Sequence, residues 1–311
     1  MVSGPQRSAE IVVLDGGLGQ ELHRRSALPP SPLWSVQVMM HEPGLVETVH
    51  LDFIEAGARV ITLNSYTATP SQLARAGQAG RFDAVHHAAV TAAHAARERS
   101  GRDIRIAGCL PPLVDSYRPD LTPPEETCLS DYRRIVAAQA DHVDLFLCET
   151  LASVAEARIA TVAARESGRT VWTALTVDDS NGSVLRSGEP VAAGAEAALE
   201  AGAAALLINC SRPEATVDAL PALARIGVPF GAYANGFVSV DALEPGGTAD
   251  VLEARGDLGP AAYADHALRW AASGATILGG CCEIGPAHIA ELARRLQAGR
   301  YGLAADPLPG Q

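Results

Sequence analysis

Eight short apolar runs, each followed by a stretch with helical periodicity, constrain this 311-residue chain more than any other feature. The runs cover residues 11–14, 59–63, 104–110, 145–148, 170–177, 205–209, 229–234 and 276–278. They are apolar throughout instead of alternating, as strands buried on both faces of a parallel sheet must be. The segments between them carry helical patterns. In 44–57, Leu45, Val49, Phe53 and Ile54 recur at helical spacing and Gly57 reads as the C-cap. An Ala-rich helix is expected over 71–99, and others over 153–167, 191–201, 214–226, 260–273 and 286–297. A further helix start is read at Thr122-Pro123-Pro124-Glu125, with Thr as N-cap, Pro just inside and Glu three on. The polar, Pro-rich stretch between the first run and residue 44 reads as a loop.

Parallel strands joined by helices leave two architectures, a closed (β/α)8 barrel and an open doubly wound sheet. The count of eight units favours the barrel. The expected fold is α/β, a single-domain (β/α)8 TIM barrel spanning 1–311, with its core over about 10–299 and a short Pro-rich tail at 300–311. The content of 29 glycines and 20 prolines suits the many short loops of such a fold, and 48% hydrophobic residues suffice for its core.

A net charge of -12 argues against a nucleic-acid partner, which requires a basic stripe. No apolar stretch is long enough to span a membrane, and the polar segment 1–10 lacks a signal-peptide core. A cytoplasmic location is therefore expected, as a monomer or small homo-oligomer acting on small molecules. In a reducing compartment the six cysteines are expected to be packed, reactive or metal-bound instead of forming a disulfide frame.

Active sites of parallel barrels sit at the carboxyl ends of the strands. The residues at those ends are Asp15-Gly16-Gly17, Asn64-Ser65-Tyr66, Cys109, Cys148-Glu149-Thr150, Asp178-Asp179, Asn209-Cys210-Ser211, Tyr233-Ala234-Asn235-Gly236 and Gly279-Gly280-Cys281-Cys282. Three thiols, Cys210, Cys281 and Cys282, thus share one rim. Gly279 and Gly280 remove side-chain bulk just before the pair, so both sulfurs can turn inward. Zn2+ suits such a set, and three protein ligands leave a fourth position for a thiol substrate, whose proton coordination removes. The spacing alone equally fits two packed cysteines, and a vicinal disulfide is a third, less suitable reading. Cys109, Cys128 and Cys148 read as packing residues. A hydrolytic zinc barrel would need His or carboxylate ligands, and no such cluster falls at the strand ends. Glu149 also fits as a cap on the helix after residue 153, and Asp15 as a turn-former before Gly-Gly.

These residues resemble the homocysteine S-methyltransferase family over nearly the whole chain. The resemblance rests on Leu14-Asp15-Gly16-Gly17-Leu18-Gly19-Gln20-Glu21-Leu22, Thr62-Leu63-Asn64-Ser65-Tyr66-Thr67-Ala68, Gly108-Cys109-Leu110-Pro111-Pro112, Glu149-Thr150-Leu151, Asn209-Cys210-Ser211 and, most specific, Gly279-Gly280-Cys281-Cys282. Cys109 stands where the family pattern has Ser. The resemblance implies a zinc-bearing (β/α)8 barrel that methylates homocysteine to methionine. It assigns Cys210, Cys281 and Cys282 as zinc ligands and Asp15 and Glu149 as partners of the substrate ammonium. The backbone N–H groups at Gly16 and Gly17 are then candidates for the substrate carboxylate. A cationic methyl donor calls for aromatic walls, for which Trp34 and Tyr66 are candidates, and Asn235 is a further substrate-binding candidate. Ser31-Pro32-Leu33-Trp34-Ser35 and Val49-His50-Leu51-Asp52-Phe53 resemble the S-methylmethionine-using branch, whereas Tyr233-Ala234-Asn235 departs from its Tyr-Pro-Asn pattern. S-Methylmethionine or S-adenosylmethionine is the expected donor. Betaine or another onium compound is the alternative, as is a non-catalytic zinc-binding barrel serving a methyl-carrier system.

Overall fold

The apolar runs form strands, and the strands close into a ring. The structure, a computed structural model, describes residues 10–299 and 301–304. Of the polar N-terminal segment only Glu10, and of the Pro-rich tail only 301–304, fall among them. In chain order the strands are β1 (Glu10–Val13), β2 (Val60–Thr62), β3 (Arg105–Leu110), β4 (Leu145–Leu151), β5 (Thr170–Leu175), β6 (Ala205–Asn209), β7 (Phe230–Tyr233), β8 (Ile277–Leu278) and β9 (Gly302–Leu303). Strands β2 to β8 pair in sequence and in parallel, and β8 returns to β1 through Val12–Ile277 and Val13–Leu278. Closure comes where Leu14 bridges Val60. There the Asp15 N–H donates to the Val60 carbonyl (3.0 Å) and the Arg59 N–H to the Val13 carbonyl (2.7 Å). The fold is the (β/α)8 barrel and not the open sheet. β9 is an addition to the expected pattern. It pairs with the lower end of β1 through Glu10–Gly302 and Ile11–Leu303.

Alternate strand residues serve two cores. Val12, Leu14, Leu145, Leu147, Trp172 and Leu207 fill the barrel interior. Ile11, Val13, Phe146, Cys148, Leu206 and Ile208 pack outward against the helices. This double burial is the physical reason the runs show no polar alternation.

The helices are α1 (Leu18–Arg25), α2 (Trp34–His41), α3 (Pro43–Ala56), α4 (Pro70–Arg75), α5 (Phe82–Ser100), α6 (Glu125–Gln139), α7 (Val154–Arg165), α8 (Val191–Glu200), α9 (Pro213–Ala224), α10 (Pro260–Ala272) and α11 (Pro286–Ala298). Gly57 ends α3 in the left-handed conformation (φ 117°), as its C-cap reading requires. Three expectations fail. The segment after β1 is not a loop: it holds α1 and α2, each of eight residues and too short to show a helical period. The helix expected over 71–99 is broken, because Gly77 turns left-handed (φ 68°) after α4 and a 3-10 turn intervenes before α5. Thr122 does not cap α6, which starts at Glu125 behind Pro124; its hydroxyl donates instead to Glu156 Oε1 at 2.6 Å. No helix among the described residues is long and apolar enough to cross a membrane.

Candidate active site

The carboxyl ends of the strands open on one pocket, lined among others by Asp15, Gly16, Gly17, Trp34, Tyr66, Glu149, Cys210, Cys281 and Cys282. Nine of the ten residues singled out in the sequence are thus brought together. Asn235 is set back from that lining. It is fully buried, its Oδ1 accepts the Phe237 N–H at 3.2 Å, and its side chain faces Tyr117, which does line the pocket.

Local backbone contacts explain why the cysteines converge. Cys210 follows β6 with φ at 46°, in the left-handed region that side-chain residues avoid. Its N–H donates to the Tyr233 carbonyl at 3.3 Å, and the Cys281 N–H to the Ala234 carbonyl at 2.9 Å. Both cysteines are thereby tied to β7, which lies between them. The Asp15-Gly16-Gly17 turn presses on the same backbone. Gly17 N–H donates to the Ile284 carbonyl (2.8 Å), and Gly280 N–H to the Asp15 carbonyl (2.9 Å). A Cβ on Gly17 would lie 2.6 Å from the Cys281 carbonyl oxygen and 3.1 Å from Cys282 Cα, so only glycine fits. This contact also corrects an expectation: the Gly17 N–H is engaged and is not free to take a carboxylate.

The sulfurs of Cys210, Cys281 and Cys282 lie within 4.8 Å of one another. Cys210 and Cys281 are joined as a disulfide, with Cα atoms 5.7 Å apart, while Cys282 is free. This differs from the expected set of three thiols, and from the vicinal Cys281–Cys282 bond that is its alternative. The observed bond crosses from the end of β6 to the end of β8. Sulfurs this close together can pair with each other, and 5.7 Å is an ordinary Cα separation for such a bond. With that pair reduced, the three sulfurs form a soft donor set suited to a thiophilic dication. Burial, with the charges of Glu283 and Glu149, pushes the Cys282 thiol up to about 12. A cation bound beside it would favour the thiolate.

Two buried carboxylates face the same pocket. Asp15 Oδ2 accepts the Thr62 N–H at 2.8 Å. Burial, reinforced by the charge of Glu149, raises its carboxyl to about 8. The bond reaches across to β2, so Asp15 is more than a turn-former. Glu149 Oε1 accepts from the Cys109 thiol (3.1 Å) and Oε2 from the Tyr233 hydroxyl (3.2 Å), while burial holds its pKa up. Glu149 does not cap α7. Ser153 does, its hydroxyl accepting the Glu156 N–H at 3.2 Å. A register shift between Cys148 and Leu151 turns Glu149 into the pocket. The left-handed Thr150 (φ 63°) at that shift is clamped by Asn209, whose amide exchanges two 2.9 Å bonds with Thr150. Cys148 and Cys128 are core residues, as expected. Cys109 is buried too, but its bond to Glu149 makes it part of the site.

The outer pocket is aromatic. The Trp34 and Tyr66 rings meet edge-on at 6.5 Å, and Trp34 Nε1 donates to Gln20 Oε1 at 3.1 Å. Tyr117 adds a third ring that the sequence did not flag. Above them, Arg75 and Asp115 form a two-pronged ion pair (3.0 and 2.9 Å), and Asp115 Oδ1 also accepts the Gly246 N–H at 3.0 Å. The long segment between β7 and α10 is thereby tied down over the pocket.

The sequence profile described as homocysteine S-methyltransferase matches residues 12–296. Homocysteine S-methyltransferase of Escherichia coli (strain K12) is 32% identical, over 92% of this chain and 95% of that one. The crystal structure of homocysteine methyltransferase MmuM from E. coli in its metallated form superposes with a TM-score of 0.77 at 29% identity, covering 92% of this chain and 96% of that chain. Its oxidized form gives 0.76 at 30% identity, covering 94% and 100%.

Proposed function

The chain belongs to the homocysteine S-methyltransferase family, and on that premise we propose that it is a zinc-dependent enzyme that moves a methyl group from a methyl-onium donor to the sulfur of homocysteine, giving methionine. The observation that carries this reading is the placement of the three-cysteine cluster and the Asp15–Glu149 pair on one pocket. Cys210, Cys281 and Cys282, once reduced, would hold the zinc, which supplies the acidity that strips the substrate thiol of its proton.

The chain's own residues then have defined tasks. Asp15 and Glu149 are buried acids that no cationic side chain among the described residues pairs with, and the substrate ammonium would satisfy both. Cys109 and Tyr233 donate to Glu149 and hold its carboxylate toward the pocket. With the Gly17 and Leu18 N–H groups engaged by the Ile284 and Gly16 carbonyls, the substrate carboxylate is left to the N-terminus of α1 at Gly19, which lines the pocket and favours an anion. Trp34, Tyr66 and Tyr117 offer ring faces and edges to a sulfonium donor. In the transfer, the donor's S–CH3 bond breaks with its electron pair remaining on the donor sulfur. A new C–S bond forms on homocysteine, and the thiol proton leaves to solvent. S-Methylmethionine or S-adenosylmethionine fits as donor, with betaine second.

A donor panel tests the reading. Reduced, zinc-loaded protein given homocysteine should form methionine with a sulfonium donor. Turnover with betaine alone would move the donor assignment. Stoichiometric zinc without turnover of any thiol would instead favour a non-catalytic barrel that partners a methyl carrier.

A further inference from the structure

Arg186 has no task in the function above, yet its guanidinium lies against the backbone of Cys210. It sits between β5 and α8 with its side chain 9% exposed. A guanidinium so buried must be paired and hydrogen-bonded. Nη2 pairs with Asp179 Oδ2 at 3.0 Å and reaches the Cys210 carbonyl at 3.4 Å, and Nε donates to the Thr176 hydroxyl at 3.1 Å. The Tyr117 ring covers its flat face, 4.6 Å from Cζ. Thr176 in turn donates to the same Cys210 carbonyl at 3.3 Å. Asp179 Oδ1 accepts the Arg212 N–H at 2.8 Å, and Ser211 Oγ accepts the Val177 N–H at 2.9 Å. The segments after β5 and β6 are thus laced together around Cys210.

That residue is the one ligand candidate in a left-handed backbone (φ 46°). Such a conformation persists only where the surroundings over-determine it. Relaxing Cys210 to a negative φ would swing its Cβ, and with it the sulfur, relative to Cys281 and Cys282. The two donors on its carbonyl oppose that rotation.

We propose that Arg186 is a positioning residue for the three-thiolate site: aimed by Asp179 and Thr176 and backed by Tyr117, it holds the Cys210 carbonyl so that the sulfur meets those of Cys281 and Cys282. The proposal rests on the reading of this cluster as a metal site. It acts through geometry and a fixed positive charge beside an anionic ligand set, and it needs no group to titrate.

The test is the zinc affinity of the reduced protein, by competition with a chromophoric chelator. Wild type is compared with Arg186→Met, Arg186→Lys, Thr176→Val and Cys210→Ala. Removing a group that orients a ligand typically costs about 10- to 100-fold in metal affinity, and that loss is expected for Arg186→Met. Arg186→Lys, which keeps the charge but not the fork, should recover part of it. Thr176→Val is isosteric and uncharged, so it decides the matter if Arg186→Met does not fold; a several-fold loss is expected. The thiolate-to-cobalt absorption of the Co2+ form should shift in both variants, which a change in global stability alone would not produce. If wild type binds zinc and both variants bind it equally tightly with unchanged spectra, the proposal is overturned by itself. If wild type binds no zinc, the metal-site reading falls and takes this proposal with it.

Discussion

Asp15→Asn should stabilise the metal-free protein, and by more in mild alkali than in mild acid. Burial, with the neighbouring charge of Glu149, lifts the Asp15 carboxyl from 3.8 to about 8. The folded state therefore holds this proton over a pH range in which the unfolded chain has already released it. The stability this provides is whole below 3.8, declines as pH rises and is gone above about 8. Each unit is worth about 1.4 kcal/mol, so the roughly 2.5 units between pH 5.5 and 8 amount to about 3 kcal/mol. The asparagine carries no charge and keeps an oxygen to accept the Thr62 N–H, which Asp15 receives at 2.8 Å. The gap between variant and wild type should accordingly widen by about 3 kcal/mol from pH 5.5 to 8.5. Urea unfolding of reduced, chelated protein at the two pH values measures it. A gap of equal size at both would refute the idea that Asp15 is a buried acid awaiting a cation. The same variant should lose homocysteine binding, an exchange of function for stability.

Other consequences are as specific. Gly17→Ala places a methyl 2.6 Å from the Cys281 carbonyl oxygen, so zinc content and activity should both fall at least tenfold in metal analysis and methionine assays. Cys109→Ala removes a donor 3.1 Å from Glu149. At about 1.5–3 kcal/mol for a bond to a charged group, the KM for homocysteine should rise roughly tenfold or more with little change in kcat, and Cys109→Ser should restore it. Asp115→Ala cuts both the Arg75 pair and the Gly246 tie, which should raise the donor KM several-fold and speed proteolysis within 243–249, leaving zinc content unchanged.

The barrel was legible because its strands are buried on both faces. Leu145 and Leu147 point inward and Phe146 and Cys148 outward, and that double burial writes an unbroken apolar run. The strand ends were legible for the same reason, since the runs stop at polar residues and those after β1, β2, β6 and β8, with Glu149 near the end of β4, line the pocket. Partners set by distant segments were not. Cys109 and Glu149 lie 40 residues apart, and their bond depends on a bulge that an apolar run does not announce. Arg186 reads as an ordinary loop residue until the chain brings Asp179, Thr176 and Cys210 around it. Asn235 has the polarity of a site residue but lies one layer behind Tyr117. Gly77 breaks the long Ala-rich helix by its backbone alone, against a composition that favours continuation.

The zinc dependence of turnover tests the central claim most directly. Reduced, chelated protein is supplied with homocysteine and a sulfonium donor while zinc is titrated back. Methionine formation should rise in proportion and saturate at one zinc per chain, and Cys281→Ala should stay flat throughout. Full activity before any zinc is added would contradict the account.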